Sequence, residues 1–380
     1  MSWEKVPFES LYIEPSRNGV YKSKEFHGQG YKIVNMGEIF GFEFIGNQGM
    51  NRIKMSDSEI ERSGLVDGDL LFGRRSLIES GAGKCSIIVN PSETLTFESS
   101  IIRVRLDKNK ANPMFYYYWF KSHIGRSGIK AIVSGTNVKG IRSSDLRNIT
   151  VALPEKKIQD NIAAFFKKYD DLIENNRRRI QLLEESARLL YREWFVHLRF
   201  PGHEHVKIVD GVPEGWQSKK LGEVLTLNYG KALNADARVP GAYPVYGSSG
   251  VVGTHEKPLV PGPGIIVGRK RNVGSVYWSS KDFFPIDTVY FINAEQSNLH
   301  LYYALQHVQF INTDVAVPGL NRDMAYSRHV LIPSETILQS FITQATTIRQ
   351  QIEKLADFSA KLVEARDLLL PRLMSGEISV

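Results

Sequence analysis

A single cysteine, Cys85, is all that 380 residues contain. Neither a disulfide framework nor a cysteine-based zinc site can be built from it, and a reducing compartment is the natural expectation. Long apolar runs are missing as well: no stretch of about 18 apolar residues is present to span a bilayer. The opening MSWEKVPFES also lacks the basic and apolar regions of a signal peptide. A soluble, cytoplasmic protein is expected. Charge of one sign does not dominate, because 48 Lys and Arg stand against 41 Asp and Glu for a formal net charge of +7. That moderate basic excess is compatible with a polyanionic partner without requiring one. With 42% apolar residues over this length, two or three domains with their own cores are expected.

Catalytic motifs are equally scarce. Gly81-Ala-Gly-Lys84-Cys85 approaches a phosphate-binding loop, but Ile78 stands where that loop requires glycine, and Cys85 where it requires Ser or Thr. Asn112-Pro-Met-Phe115 resembles the Asn-Pro-Pro-aromatic tetrapeptide of amino-methyltransferases. It follows the charged Asp107-Lys-Asn-Lys-Ala instead of an apolar strand, so a helix N-cap is the better account. His203 and His205 sit in a Pro- and Gly-containing linker with no third metal ligand in view. No active site assembles, and neither a catalytic residue nor a metal ligand is assigned.

What the sequence does contain is helix. In residues 155–195, Ile158, Ile162, Phe165, Tyr169 and Leu172, then Ile180, Leu183, Ala187, Leu190 and Trp194, recur at steps of three and four. That spacing keeps one seam of an α-helix against a partner helix. At about 1.5 Å per residue the run would be roughly 60 Å long, and so narrow a stripe needs a second long helix to cover it. The partner is the run 334–374, with Ile337, Phe341, Ala345, Ile348, Ile352, Leu355, Ser359, Leu362, Leu369 and Leu373. A shift of about 180 positions superimposes the two, placing Leu172 on Ile352 and Leu182 on Leu362.

The regions before these helices also repeat. Both alternate short strand-like pieces with Gly-rich turns, which gives an α+β fold class: two mainly β domains in tandem, separated by two long antiparallel, coiled-coil-like helices. Asp69-Leu-Leu-Phe-Gly-Arg-Arg75 matches Gly264-Ile-Ile-Val-Gly-Arg-Lys270, and Phe115-Tyr-Tyr-Tyr-Trp119 matches Leu301-Tyr-Tyr-Ala-Leu305. Ser134-Gly-Thr-Asn-Val-Lys139 is set against Pro318-Gly-Leu-Asn-Arg-Asp323. Between these anchors the copies diverge, and divergent loops on a shared scaffold are where two copies would read different things. The aromatic run Tyr116–Phe120 is expected to be core instead of a base-stacking platform.

Basic and amide side chains gather at matching points of both copies. Arg74, Arg75, Lys84, Asn137, Lys139 and Arg142 in the first, and Arg269, Lys270, Arg271, Asn272, Asn321 and Arg322 in the second, are the candidate DNA contacts. Arg and Lys neutralise phosphates or pair with guanine, and Asn suits adenine. The competing account makes them solvated strand ends.

Leu146-Arg-Asn-Ile-Thr-Val-Ala-Leu-Pro154 and Arg328-His-Val-Leu-Ile-Pro333 each lead into a long helix. With Leu189-Leu-Tyr-Arg-Glu-Trp-Phe195 and the terminal Leu368-Leu-Leu-Pro-Arg-Leu-Met-Ser-Gly-Glu-Ile378, the pattern resembles the specificity subunit of type I restriction-modification systems. The resemblance spans essentially the whole chain. It implies target recognition domains at 1–154 and at 199–333 (with an N-terminal linker), and long spacer helices at 155–198 and 334–380. It implies a non-catalytic subunit that recognises an asymmetric bipartite site on double-stranded DNA and directs two modification (methyltransferase) subunits and restriction (motor-nuclease) subunits. This chain would bind no cofactor; S-adenosylmethionine, ATP and Mg would belong to the partners. Phe165, Tyr169, Leu190, Trp194, Phe195, Leu369 and Leu373 are the helix residues expected to meet those partners. The alternative is a protein- or carbohydrate-binding module on a coiled-coil scaffold.

Overall fold

The computed structural model describes residues 3–310 and 319–380. It divides into two compact units, Met1–Asn175 with Phe358–Val380, and Asn176–Asp357. In the first unit the main sheet runs in the order Tyr12–Asn18, Ile101–Leu106, Leu70–Gly73, Cys85–Ile88 and Phe44–Ile45. Its central strand Leu70–Gly73 is an uninterrupted apolar run buried on both faces, as a strand covered from both sides must be. A second, three-stranded sheet sets His27–Val34 between Arg52–Ile53 and a parallel Leu95–Phe97. The helix Pro113–Lys121 drives six consecutive side chains, Phe115 to Phe120, into the core. Asn112 caps this helix by accepting from the N–H groups of Met114 and Phe115, and Pro113 opens its first turn.

The second unit repeats this plan. Its main sheet runs Asn228–Tyr229, Val289–Ile292, Gly264–Gly268, Val276–Ser279, the same order as the first four strands above. The registers agree too: Ile101 stands opposite Gly73 as Val289 stands opposite Gly268, and Leu70 opposite Ile87 as Ile265 opposite Trp278. Its smaller sheet again pairs the central strand, Tyr243–Gly247, with an antiparallel neighbour and a parallel one. The helix Leu299–His307 is capped by Asn298 as Pro113–Lys121 is by Asn112. Each unit closes with an antiparallel pair, Glu4–Pro7 on Thr150–Leu153 and Gln217–Lys220 on His329–Ile332. Pro154 and Pro333 then precede the long helices.

Those helices are Lys156–Tyr191, 36 residues followed by the wider π-helical turn Arg192–Val196, and Glu335–Met374, 40 residues. At ~1.5 Å per residue they extend about 54 and 60 Å. They run antiparallel. In the first unit Ile162, Ala163 and Phe166 share a core with Leu370, Leu373 and Met374; in the second, Ala187, Tyr191, Trp194 and Phe195 share one with Phe341 and Ala345.

The structure moves the repeat by one residue. Leu153 and Ile332 occupy the same ladder position, 179 apart, and the same step carries Ile162 to Phe341, Phe166 to Ala345, Tyr191 to Leu370 and Trp194 to Leu373, all buried. A shift of 180 is therefore corrected to 179. Leu172, expected in the seam, is 45% exposed, because the buried stripe passes instead through Gln159 and Asp170 before reaching Asn176, which is buried as a seam residue. Gln159 is at home there: it accepts from the Asn112 N–H and donates to the Pro154 and Lys110 carbonyls, so its burial carries no unmet hydrogen bond.

Candidate nucleic-acid interface

In the first unit the chain leaves the strand Leu70–Gly73 at Arg74 and makes a two-residue ribbon, Arg75–Ser76 against Lys139–Gly140. The Arg74 N–H donates to the Ser100 carbonyl, and its own carbonyl accepts from the Ile141 N–H at 3.0 Å, so both arms of the ribbon are tied to the sheet. Arg74, Arg75, Lys139 and Arg142 line a cleft of about 280 Å³ beside it. Among the described residues no carboxylate lies against Arg74, Arg75 or Arg142, whereas Arg52 and Arg147 each meet one and Arg105 meets two. Cations left without a counter-charge at one end of a sheet give a local positive field.

The second unit builds the equivalent cleft, about 460 Å³, from Tyr229, Arg269, Lys270, Tyr290, Asn321, Arg322 and Asp323. Leu320 N–H donates to the Arg269 carbonyl at 2.8 Å, the counterpart of the bond between Ile141 and Arg74. Arg269 is held by two bonds to the Asp287 carbonyl, at 2.6 and 3.2 Å. Its guanidinium and that of Arg322 each lie 5.4 Å from the Tyr229 ring centre, within cation–π range. Arg271 adopts φ +65°, a left-handed conformation that disfavours side chains by about 1–2 kcal/mol. Gly268 makes the turn possible, because a Cβ there would stand 2.1 Å from the Asn272 carbonyl oxygen.

The structure gathers most of the sequence-expected residues and relocates some. Lys84 lies outside the cleft: its ammonium donates to the Phe40 carbonyl at 2.9 Å, and burial lowers its pKa. Asn137 is exposed at the tip of the facing loop. Asn321 spends its carboxamide oxygen capping the helix Arg322–Tyr326, which leaves only its NH2 free for a ligand. That cap also corrects the pairing of the copies. Gly140-Ile141-Arg142 before the helix Ser143–Leu146 corresponds to Gly319-Leu320-Asn321 before Arg322–Tyr326, so Asn321 matches Arg142 instead of Asn137. Pro318, set against Ser134 in the sequence, lies outside the described residues.

Sequence reasoning misses Tyr229 and Tyr290. A signal exists, since Asn18-Gly19 and Tyr229-Gly230 end equivalent strands, and in both a Cβ on the glycine would meet a carbonyl oxygen at 2.1 Å. Of the helix residues expected to meet partners, Trp194, Phe195 and Leu373 are 7, 4 and 2% exposed. They fill their own cores, which corrects any picture of them as free surface. Phe165, Tyr169, Leu190 and Leu369 keep some exposure. Among the described residues no group of three His, Cys, Asp or Glu side chains is placed to hold a metal, and no helix is long and apolar enough to cross a membrane.

Comparison with known proteins agrees with this architecture. The family model for the type I restriction modification DNA specificity domain matches twice, at residues 35–185 and 213–322. The MjaIX specificity subunit of Methanocaldococcus jannaschii is 23% identical over 357 residues, covering 81% of this chain and 83% of that protein. The HindI specificity subunit of Haemophilus influenzae is 23% identical over 441 residues, covering 91% and 94%. The crystal structure of the type I S subunit from M. genitalium shares the fold with a TM-score of 0.61 at 18% identity, over 98% of this chain and 96% of that one. With two matches to one family model spanning more than half of its length, the chain belongs to the type I restriction-modification specificity subunits, which supply DNA sequence specificity to a complex whose catalysis resides in other subunits.

Proposed function

We propose that this chain reads an asymmetric, two-part site on double-stranded DNA, one half with residues 1–154 and the other with 199–333. The long helices 155–198 and 334–380 act as spacers and as docking rods for two methyltransferase subunits. Those partners bring S-adenosylmethionine and methylate adenine in the site. With motor-nuclease subunits, ATP and Mg, unmethylated DNA is translocated and cut, in the cytoplasm.

One observation carries the reading. The same four strands, in the same order and register, occur twice, and each copy ends in a cation-lined cleft with a different lining. Duplication accounts for two half-sites, and divergence for their asymmetry. Arg in such a cleft suits phosphates or the O6/N7 edge of guanine. Half-sites on one face of B-DNA lie ~34–36 Å apart, a separation within the span of helices about 54–60 Å long. Co-expression with a matching methyltransferase subunit, followed by mapping of methylated bases, is expected to yield a motif of two short blocks around a fixed gap. Methylation of one contiguous block, or of none, would count against the proposal. Binding should also weaken steeply with salt, since each phosphate neutralised releases counterions.

A further inference from the structure

The first unit's ribbon ends in two aliphatic residues that its own fold does not use. Ser76 is buried, yet Leu77 is 84% exposed and Ile78 63%. With Lys139 opposite Ser76 in the antiparallel ladder, the next residues along the two chains are Val138, 48% exposed, and Leu77. Looseness does not explain this display. The Ile78 N–H donates to the Ser76 hydroxyl at 3.1 Å, the Gly81 N–H to the Ile78 carbonyl at 3.1 Å, and a Cβ on Gly81 would stand 2.3 Å from the Ser76 hydroxyl. The facing loop is closed by reciprocal bonds between Ser134 and Gly140, both 2.9 Å.

An apolar tip on a pinned ribbon is therefore set beside Arg74, Arg75, Lys139 and Arg142. The carboxylate of the same loop, Glu79, is turned to Lys130 at 3.3 Å. Cations around an apolar centre fit a partner that is anionic outside and apolar where the tip reaches. The major groove of DNA is such a surface, and at ~12 Å wide it admits a two-stranded ribbon. Leu and Ile side chains offer no hydrogen bond, so the base feature they can discriminate there is the C5-methyl group of thymine. At the equivalent step the second unit continues Lys270 with the polar Arg271 and Asn272.

We infer that Leu77 and Ile78 are specificity-determining residues, in van der Waals contact with a thymine methyl group in the half-site read by the first unit; this rests on the DNA-reading role proposed above. The test uses the complex of the full chain with its methyltransferase subunit and duplexes carrying the mapped site. Each thymine of that half-site is replaced in turn by deoxyuridine, which removes only the methyl group. One replacement should weaken binding about fourfold, the value of one buried methyl group. Leu77→Ser should weaken binding about tenfold and become insensitive to that replacement, while Leu77→Met keeps both affinity and sensitivity. Unchanged affinity in Leu77→Ser, persistent deoxyuridine sensitivity in it, loss of methyltransferase binding instead of DNA binding, or a half-site without thymine would each overturn the inference alone. A wild-type complex with no preference among duplexes would overturn the DNA-reading role as well.

Discussion

Two helices pack against each other at both ends of their length, and the two ends are held by opposite chemistry. In the first unit Arg366 donates to Asp170 at 2.5 Å, Tyr118 Oη donates to the other Asp170 oxygen at 2.6 Å, and Glu43, itself held by Lys121 at 2.6 Å, lies 3.8 Å from Arg366. Asp170 and Arg366 are 6 and 7% exposed. Burial alone would lower the Arg366 pKa, but its bonds to Asp170 and Asp367 outweigh this and raise it. Burial and then the neighbouring Asp170 carboxylate push the Tyr118 hydroxyl's pKa up. In the second unit the same repeat positions hold Arg349 and Ala187, and Arg349 turns along its own helix to Glu353 at 3.2 Å. Aromatic packing replaces the ion pair there: Phe341 meets Phe195 at 4.9 Å, Tyr191 at 5.9 Å and Trp194 at 6.0 Å. The aromatic contact tolerates small shifts, whereas the ion pair is satisfied in one register only. The first unit is thus the better candidate for fixing how the helices align.

The contrast can be broken most forcefully at the ion pair. Asp170→Ala leaves Arg366 buried without its buried carboxylate and should cost about 3–5 kcal/mol. The double variant that combines Asp170→Leu with Arg366→Met removes both charges and should restore most of that loss. Denaturant unfolding of both variants checks this, and equal loss in both would show that charge was not the issue.

A pH titration sharpens the other side. His300 is buried among Tyr191, Phe195 and Phe341, and desolvation lowers its pKa to about 4. Its folded pKa lies below the ordinary 6.5, so the unfolded chain binds the proton first. The contribution is complete above pH 6.5 and is lost as pH falls toward 4, amounting to about 3 kcal/mol. Stability of His300→Phe measured across that window should show a correspondingly flatter dependence on pH.

At the clefts, Arg269→Ala should weaken DNA binding by about 1–3 kcal/mol and relax only the half-site read by the second unit. Arg75→Ala should do the same for the first. The smallest contrast concerns the two helix caps. Asn298→Ala should cost about 1 kcal/mol. Asn112→Ala should cost more, because Asn112 also donates to Asp160 at 2.6 Å. Paired melting curves would show the difference.

Much of the fold was legible because it rests on periodicity. The seam residues Ile162, Ala187, Trp194, Phe341, Ala345 and Leu373 are buried where steps of three and four place them. The helix phase near Leu172 was not legible, since a reading that counts only apolar residues passes over Gln159 and Asp170. Their burial depends on partners far away in sequence, Asn112 and Lys110 for Gln159, and Tyr118 and Arg366 for Asp170. The clefts were half legible. Arg74, Arg75, Arg269 and Lys270 follow equivalent strands and declare themselves by repetition. Tyr229 joins them only through strand pairing with Tyr290, and Lys84 leaves them because its chain turns toward Phe40. Neither effect has a local pattern.

The account stands on two copies of one reader acting independently, and domain exchange tests that most directly. Residues 1–154 are replaced by the corresponding domain of another specificity subunit, the chimera is co-expressed with its methyltransferase, and the methylated motif is mapped. One block of the motif should change while the other block remains as in the wild type. A motif altered in both blocks, or replaced by a single contiguous one, would contradict the account.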